Sequence, residues 1–314
     1  MARYLVTGGC GFIGSHLVNR LLNDGHDVVV VDNLSTGHRQ NLPETATIIV
    51  EDILNLSSIW SEIGHIDGCF HLAAVASVQK SMEAWHATHL VNLSAFVQLM
   101  ELIAESPNPK APIIYASSAA VYGDNPALPL SETDRTQPIS AYGSDKLGCE
   151  HHARTGSLSR GLRTTGLRFF NVYGPRQDPA SPYSGVISIF ARRALDGRPI
   201  TVFGDGEQSR DFIYVDDVVT ALIAASQRPG DGAEVFNVCT GHQTTLNTLI
   251  SILDDVVPHS LDVTFADPKP GDIRHSLGDA SKMKSGLNIT AETLFATGLK
   301  HTLDWMVGEK AGPN

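Results

Sequence analysis

The chain opens on a pattern that few folds can use. A short apolar run over residues 4–6 is followed by Gly8, Gly11 and Gly14. An amphipathic pattern then begins, with Ile13, Leu17 and Leu21 at helical spacing. This reads as strand, glycine turn, helix. Glycines at such a turn let the backbone bend sharply and approach a pyrophosphate, which then lies at the positive end of the helix. Past Gly25 a second apolar run, 28–31, ends in Asp32. An acid roughly 20 residues beyond the glycines is placed to hydrogen-bond an adenosine ribose. It also disfavours a 2′-phosphate, so the expected cofactor is NAD rather than NADP.

Tyr142 and Lys146 form a second signal, in Ser140-Ala-Tyr-Gly-Ser-Asp-Lys146. Four residues is just over one helical turn, so both side chains share a face. A phenol with its ordinary pKa of about 10 is a poor base near neutrality, but a neighbouring ammonium favours the phenolate. Such a pair can take a proton from a substrate hydroxyl. Alone, the spacing more often marks a solvated helix face; behind a dinucleotide turn it reads as a redox site.

Bulk properties bound the remaining possibilities. The 314 residues allow one large domain or two lobes, and the 42% hydrophobic content supplies an ordinary core. A net charge of −11 argues against general binding to nucleic acid or to a membrane surface. Cys10, Cys69, Cys149 and Cys239 form no C-x-x-C pair, and the simplest reading is a reducing, cytoplasmic setting. The first strand starts almost at Met1, leaving no room for a signal peptide. No apolar run approaches the length of a membrane span. The 13 histidines are scattered without ligand spacing, and no metal site is expected.

The first half of the chain alternates short apolar runs with helical patterns. Strands are expected at 4–7, 28–31, 47–50, 68–72, 113–116 and 164–169, with helices at 84–105 and 141–154. The predicted fold is α/β, a doubly wound parallel sheet of Rossmann type over 1–168. A smaller α+β substrate lobe follows over 169–314, with an interleaved boundary. Asp52 and Ile53 follow the third strand and could reach an adenine. The small residues of Leu72-Ala73-Ala74-Val75-Ala76 suit close approach to a cofactor, or equally to a packed helix. After Arg168, Gly and Pro become frequent, and helices are expected at 186–195, 215–226, 245–256 and 291–307. Arg210 and Arg274 lie in glycine-containing loops. They read either as grips for a diphosphate or as surface ion pairs, for instance Arg210 with Asp211 or Asp205.

Several stretches together resemble the extended short-chain dehydrogenase/reductase family, and within it the nucleotide-sugar 4-epimerases. They are Thr7-Gly-Gly-Cys-Gly-Phe-Ile-Gly14, Val31-Asp-Asn33, His71-Leu-Ala-Ala74, Ser117-Ser-Ala-Ala-Val-Tyr-Gly123, Tyr142-x-x-x-Lys146, Arg168-Phe-Phe-Asn-Val-Tyr-Gly-Pro175, Arg210-Asp-Phe-Ile-Tyr-Val-Asp-Asp217 and Pro270-Gly-Asp-Ile-Arg-His-Ser276. The resemblance covers nearly the whole chain. It implies that Gly8, Gly11, Phe12, Ile13 and Gly14 hold a pyrophosphate. It also puts Asp32 and Asn33 at the adenosine ribose and Asp52 and Ile53 at the adenine, with Ser35, Thr36 and Gly37 among the cofactor contacts. Leu72, Ala73, Ala74, Ala76, Asn92, Ser117, Lys146 and Phe170 complete the implied NAD contacts. Ser118 matches the catalytic serine and Tyr142 the catalytic base. Asn171, Val186, Thr201, Val202, Phe203, Arg210, Arg274 and Ser276 match contacts to a UDP-sugar.

Within this family the segment after Ser118 separates reactions. Related dehydratases carry an Asp-Glu pair there and decarboxylases a glutamate, whereas this chain has Ala119 and Ala120. Reversible oxidation at C4 of a UDP-hexose is then the economical reading. A uronic-acid epimerase, a decarboxylase or a dehydratase is the rival of the same fold. A non-catalytic NAD-binding protein is the rival of another class, disfavoured because Ser118, Tyr142 and Lys146 are all kept. Ser276 matches a position where glucose-restricted epimerases carry a tyrosine, so N-acetylated sugars are also expected as substrates. The resemblance further implies a homodimer built on the helices at 84–105 and 141–154, where Val91, Phe96, Leu99 and Leu102 could face a core or a partner. Gly156 and Gly161 depart from the family's common form and leave the connection over 155–161 open.

Overall fold

The computed structural model describes residues 1–179, 185–268 and 273–311, so the first three residues of the motif at 270–276 lie outside it. From the N-terminus the elements run β1 (Arg3–Thr7), α1 (Phe12–Asn23), β2 (Asp27–Asp32), β3 (Thr47–Val50), α2 (Leu56–Ile63), β4 (Gly68–His71), α3 (Val78–Glu83), α4 (Trp85–His89), α5 (Ala95–Ala104), β5 (Ile113–Ser118), α6 (Ala141–Arg160) and β6 (Thr164–Phe169). The second half supplies β7 (Asn171–Tyr173), α7 (Val186–Leu195), β8 (Ile200–Phe203), β9 (Ser209–Arg210), β10 (Phe212–Tyr214), α8 (Val215–Gln227), β11 (Ala233–Val238), β12 (Thr244–Thr245), α9 (Leu246–Val256), β13 (Val263–Ala266), α10 (Ser281–Leu287) and α11 (Phe295–Ala311).

Seven strands form one parallel sheet in the order β11-β6-β5-β4-β1-β2-β3. The strand order reverses between β1 and β4, and in such sheets ligands bind beyond the carboxyl ends of the strands at that point. Both faces are covered, which is why β1 and β2 read as continuous apolar runs. Val6, Val28 and Val30 pack on one side with Leu17, Val18 and Leu21 of α1 and with Val218 and Leu222 of α8. Leu5, Val29 and Val31 pack on the other with Leu56 of α2, Phe96 and Leu99 of α5, and Ala153 of α6. Each fully buried Leu or Val contributes roughly 1.5–3 kcal/mol. A separate cluster of Ile187, Phe190, Val202, Tyr214, Leu249 and Leu303 is the core of the second lobe.

Four features differ from the sequence reading. The helix at 215–226, expected in the second lobe, packs on the sheet beside α1, and β11 forms the sheet's edge, so a cut at 168 does not isolate the sheet. The helix expected over 141–154 continues through Gly156 and stops at Gly161, which takes the left-handed conformation (φ 67°) as its C-cap. The stretch at 84–105 is interrupted by a π-helical turn, Leu90–Ser94. Finally, Trp85–Ala104 is long and apolar enough to match a membrane span by composition (mean hydropathy 1.3). Phe96, Leu99, Met100 and Ile103 on that stretch are core residues. Phe96 and Leu99 thus face the core, while Val91 and Leu102 are half-buried.

Candidate active site

A cavity of about 330 Å³ opens at the reversal point, lined by the glycine turn, the end of β2, the segment 72–76, and Tyr142 and Lys146 of α6. Its floor requires glycine. Gly8 has φ 70°, and a Cβ there would lie 2.6 Å from the Ala73 nitrogen; a Cβ on Gly14 would run into the Gly8 carbonyl oxygen. Helix α1 starts at Phe12 behind an N-cap glycine, Gly11, that has no side chain to cap it, so its first amide groups are left for the cavity that Gly11, Phe12, Ile13 and Gly14 line. At the end of β2 the buried Asp32 accepts from Cys10 N at 2.9 Å and from Leu34 N at 2.8 Å. Each carboxylate oxygen keeps a lone pair for a further donor.

Two segments brace the opposite wall. Asn92, buried in the π-helical turn, clamps Val75 through both arms: its Oδ1 accepts from Val75 N (2.8 Å) and its Nδ2 donates to Val75 O (3.2 Å). The extra residue of a π turn swings such a side chain out of helical register, which is how these turns serve functional sites. At the end of β4, His71 shares a hydrogen bond between its Nδ1 and Thr7 Oγ1 (2.9 Å), and Thr7 Oγ1 accepts from Ala73 N (3.3 Å). Burial pushes the His71 imidazole down to about 3, with Lys146 adding to the effect, so the ring is neutral near pH 7.

The acid/base residues meet where α6 begins. Ser140 caps the helix by accepting from Gly143 N. Tyr142 N donates to Ser81 Oγ at 3.1 Å. A Cβ on Gly143 would lie 2.6 Å from the Ala120 carbonyl, so glycine lets the helix start abut the turn Ala119–Tyr122 that Ser118 caps. Ser118 is thereby brought to the Tyr142 end of α6. Lys146 is 3% exposed, and its Nζ lies 5.7 Å from the Tyr142 ring centroid. Among the described residues this ammonium makes no hydrogen bond or ion pair. A buried ammonium in that state is poised for acceptors from a ligand.

The second-lobe side of the site is assembled by two strand pairings. Ser209 N donates to Arg274 O and Ser276 N to Ser209 O, and Arg210 Nη1 donates to Arg274 O (3.3 Å). Arg210, Arg274 and Ser276 therefore converge. Arg274 Nη2 pairs with Asp205 Oδ2 at 2.8 Å; both are exposed, so solvent screens the pair. The Asp211 carboxylate beside Arg210 accepts from Thr240, Gly241 and Gly278. Phe203, Gly204, Asp205 and Arg274 line a second cavity of about 520 Å³. Thr201 is half-buried in the β8–β13 pair and Val202 buries its side chain in the second-lobe core; of the expected stretch 201–203, Phe203 lines that cavity. Asn171 begins β7 and Val186 begins α7, both half-buried.

A family model for the NAD-dependent epimerase/dehydratase family matches residues 4–239. The chain belongs to that family. The UDP-glucose 4-epimerase of Mycolicibacterium smegmatis is 35% identical over 310 residues, covering 96% of this chain and 98% of that protein. Among solved structures, the UDP-N-acetylglucosamine 4-epimerase of Methanobrevibacter ruminantium M1, in complex with UDP-N-acetylmuramic acid, superposes with a TM-score of 0.93 at 38% identity. It covers 98% of this chain and 99% of that one. The Thermus thermophilus UDP-glucose 4-epimerase complex with NAD gives 0.89 at 34%, with the same coverage.

NAD is the cofactor of this epimerase/dehydratase chain, and the first cavity fits it. An uncapped helix end suits the pyrophosphate, the spare lone pairs of Asp32 suit a ribose diol, and the unpaired Lys146 suits further hydroxyls. Of the expected contacts, the cavity gathers Gly8, Gly11, Phe12, Ile13, Gly14, Asp32, Asn33, Ser35, Thr36, Ile53, Leu72, Ala73, Ala74, Ala76, Ser117, Tyr142 and Lys146. Four stand behind its wall. Gly37 packs on Cys10. Asp52 holds the Asn33 amide and caps a short helical turn. Asn92 acts through Val75, and Phe170 is buried against Val121 and Tyr122. Sequence reasoning missed Val31, Glu51, Val91, Ala116 and Phe169 on the lining. Their neighbours in sequence were singled out; Val31, Ala116 and Phe169 lie at the carboxyl ends of β2, β5 and β6, Glu51 just past β3, and Val91 in the π-helical turn, so position at the strand ends was the available signal for all but Val91.

Proposed function

We propose that the chain reversibly inverts C4 of a UDP-hexose through a transient 4-keto sugar, accepting UDP-N-acetylglucosamine and UDP-N-acetylgalactosamine alongside UDP-glucose and UDP-galactose. The observation that carries this reading is the convergence of Tyr142, Lys146 and the Ser118 turn beside the cofactor cavity, with methyl groups at Ala119 and Ala120. NAD, when bound, supplies reversible hydride acceptance at the sugar carbon. Tyr142 takes the 4-hydroxyl proton, its phenolate favoured by the Lys146 ammonium. Ser118 Oγ hydrogen-bonds the same oxygen. Removal of water or of carboxylate would call for an acid/base side chain next to Ser118, and alanine offers none.

Arg210 and Arg274 grip the diphosphate while the hexose stays loose enough to present either face. The exposed Asp205 partner is readily exchanged for phosphate oxygens, since its pairing with Arg274 is screened by water. The UDP moiety is supported by relatives named as UDP-glucose and UDP-N-acetylglucosamine 4-epimerases. Ser276, beside Arg210 through the bond to Ser209 O, leaves room for a 2-acetamido group.

Purified protein is to be assayed with UDP-galactose, UDP-N-acetylgalactosamine and UDP-glucuronate. Epimerisation of the first two is expected. A 4-keto-6-deoxy product or a pentose product would overturn the reading. Ser276→Tyr should remove turnover of the N-acetylated sugar and spare UDP-galactose; equal loss of both would refute the role given to Ser276.

A further inference from the structure

Tyr142, Lys146 and Glu150 follow one another at four-residue intervals along α6, so the three side chains share a helix face. Glu150 thus stands one turn beyond Lys146, where a carboxylate ordinarily pairs with an ammonium. Here it is already engaged. Its Oε1 accepts from Ser117 Oγ (2.5 Å) and Arg168 Nε (2.9 Å), and its Oε2 accepts from Arg168 Nη2 (2.7 Å). Glu150 and Arg168 are both buried. The guanidinium is itself locked: Nη1 donates to Tyr122 Oη (2.8 Å), and the group lies 4.8 Å over the Tyr122 ring. Tyr122 Oη in turn donates to Asn237 Oδ1 of β11 (2.6 Å).

We propose that Arg168 is a positioning residue that saturates the Glu150 carboxylate, withholds it from Lys146, and so reserves the ammonium for Tyr142. The inference rests on the acid/base reading above. A forked ion pair presents little net charge to a third group, whereas a lone buried carboxylate one turn away would draw the ammonium strongly. The other titratable groups around Lys146 do not compete for it. His71 from β4 is neutral. Burial pushes the Tyr115 phenol of β5 well up and the Cys149 thiol of α6 up to about 12, so both stay protonated near pH 7. Asp145, the residue before Lys146, points off the shared face; its Oδ1 meets His89 Nδ1 of α4 at 2.8 Å and its buried Oδ2 has no partner among the described residues. Of the two carboxylates on α6, Glu150 is therefore the one that shares the Lys146 face.

The test is an ultraviolet titration of the Tyr142 phenol in the NAD-loaded enzyme, taken as the difference from Tyr142→Phe, alongside the pH profile of kcat/KM. Arg168→Met should raise the Tyr142 pKa by roughly one unit or more and move the acid limb of the profile by the same amount. Adding Glu150→Gln should bring both back to within a few tenths of a unit of wild type. In a Lys146→Met background, Arg168→Met should produce no further shift. Loss of turnover by Arg168→Met with the Tyr142 pKa unmoved, or failure of Glu150→Gln to restore it, would overturn the proposal. Should Arg168→Met not fold, Arg168→Gln serves: it can hydrogen-bond one carboxylate oxygen but brings no charge to cancel that of Glu150. A shift in the same direction supports the proposal, and a wild-type pKa defeats it. Lys146→Met with unchanged turnover and titration would instead defeat the acid/base reading itself.

Discussion

Replacing Asp32 by asparagine separates two tasks that one carboxylate performs. In the folded chain it fastens the glycine turn through Cys10 N (2.9 Å) and the bend after β2 through Leu34 N (2.8 Å), where Leu34 holds φ 56°. Asparagine is isosteric but offers one acceptor oxygen; its amide nitrogen must face one of these two donors. One charge-assisted bond is then lost and one largely buried N–H is left without a partner, at about 2 kcal/mol. For a chain of this size that corresponds to a fall of about 3 °C in Tm. The loss belongs to the NAD-free protein and should appear in scanning calorimetry of that form. NAD binding should weaken separately by roughly 10–100-fold, the worth of a hydrogen bond to a charged acceptor, read as Kd by titration calorimetry. A weakened Kd with unchanged Tm of the NAD-free form would refute the claim that Asp32 holds the turn. An unchanged Kd would refute its contact with the ribose.

Two further outcomes follow from burial and backbone geometry. His71 titrates at about 3 in the fold against an ordinary 6.5, so between those values the folded chain binds fewer protons than the unfolded one; its contribution is whole above pH 6.5 and is lost as pH falls, by about 1.4 kcal/mol per unit. Denaturation curves of His71→Gln should therefore show a shallower loss of stability than wild type between about pH 6 and 4, and parallel curves would contradict the assignment. Gly161→Ala should lower stability by about 1 kcal/mol through its left-handed backbone alone, since no atom lies within 4 Å of the new Cβ. Gly156→Ala, inside the helix and meeting the side-chain ends of Leu162 at 3.1 Å and Met100 at 3.6 Å, should cost less than Gly161→Ala, since its helix propensity gain offsets the close Leu162 contact; the reverse order in urea midpoints would mean that α6 ends earlier.

What could be read along the chain was whatever the chain states locally. The glycine spacing, the apolar runs of β1 to β6 and the Tyr142–Lys146 interval each involve neighbouring residues, and each has its counterpart in the fold. The extension of α6 was hidden because a mid-helix glycine and a capping glycine look alike until φ is known. The membership of α8 and β11 in the first layer was hidden because an amphipathic pattern says that a face is buried, not which sheet buries it. Asn92 was singled out through the family resemblance, but its action through Val75 depends on a π turn that periodicity does not reveal.

The same boundary runs through the catalytic machinery. A motif can name a tyrosine and a lysine because they lie on one turn of one helix. It cannot say what keeps the lysine's charge available, because that depends on a carboxylate on α6, an arginine on β6, a tyrosine beyond β5 and an asparagine on β11 meeting in one buried network. Each of these residues alone reads as an ordinary charged or polar residue. Brought together, they cancel the charge that would otherwise compete for Lys146. The identity of the base is thus written locally, while its strength as a base is a property of the packed sheet, and substitutions at Arg168 or Glu150 test the second without touching the first.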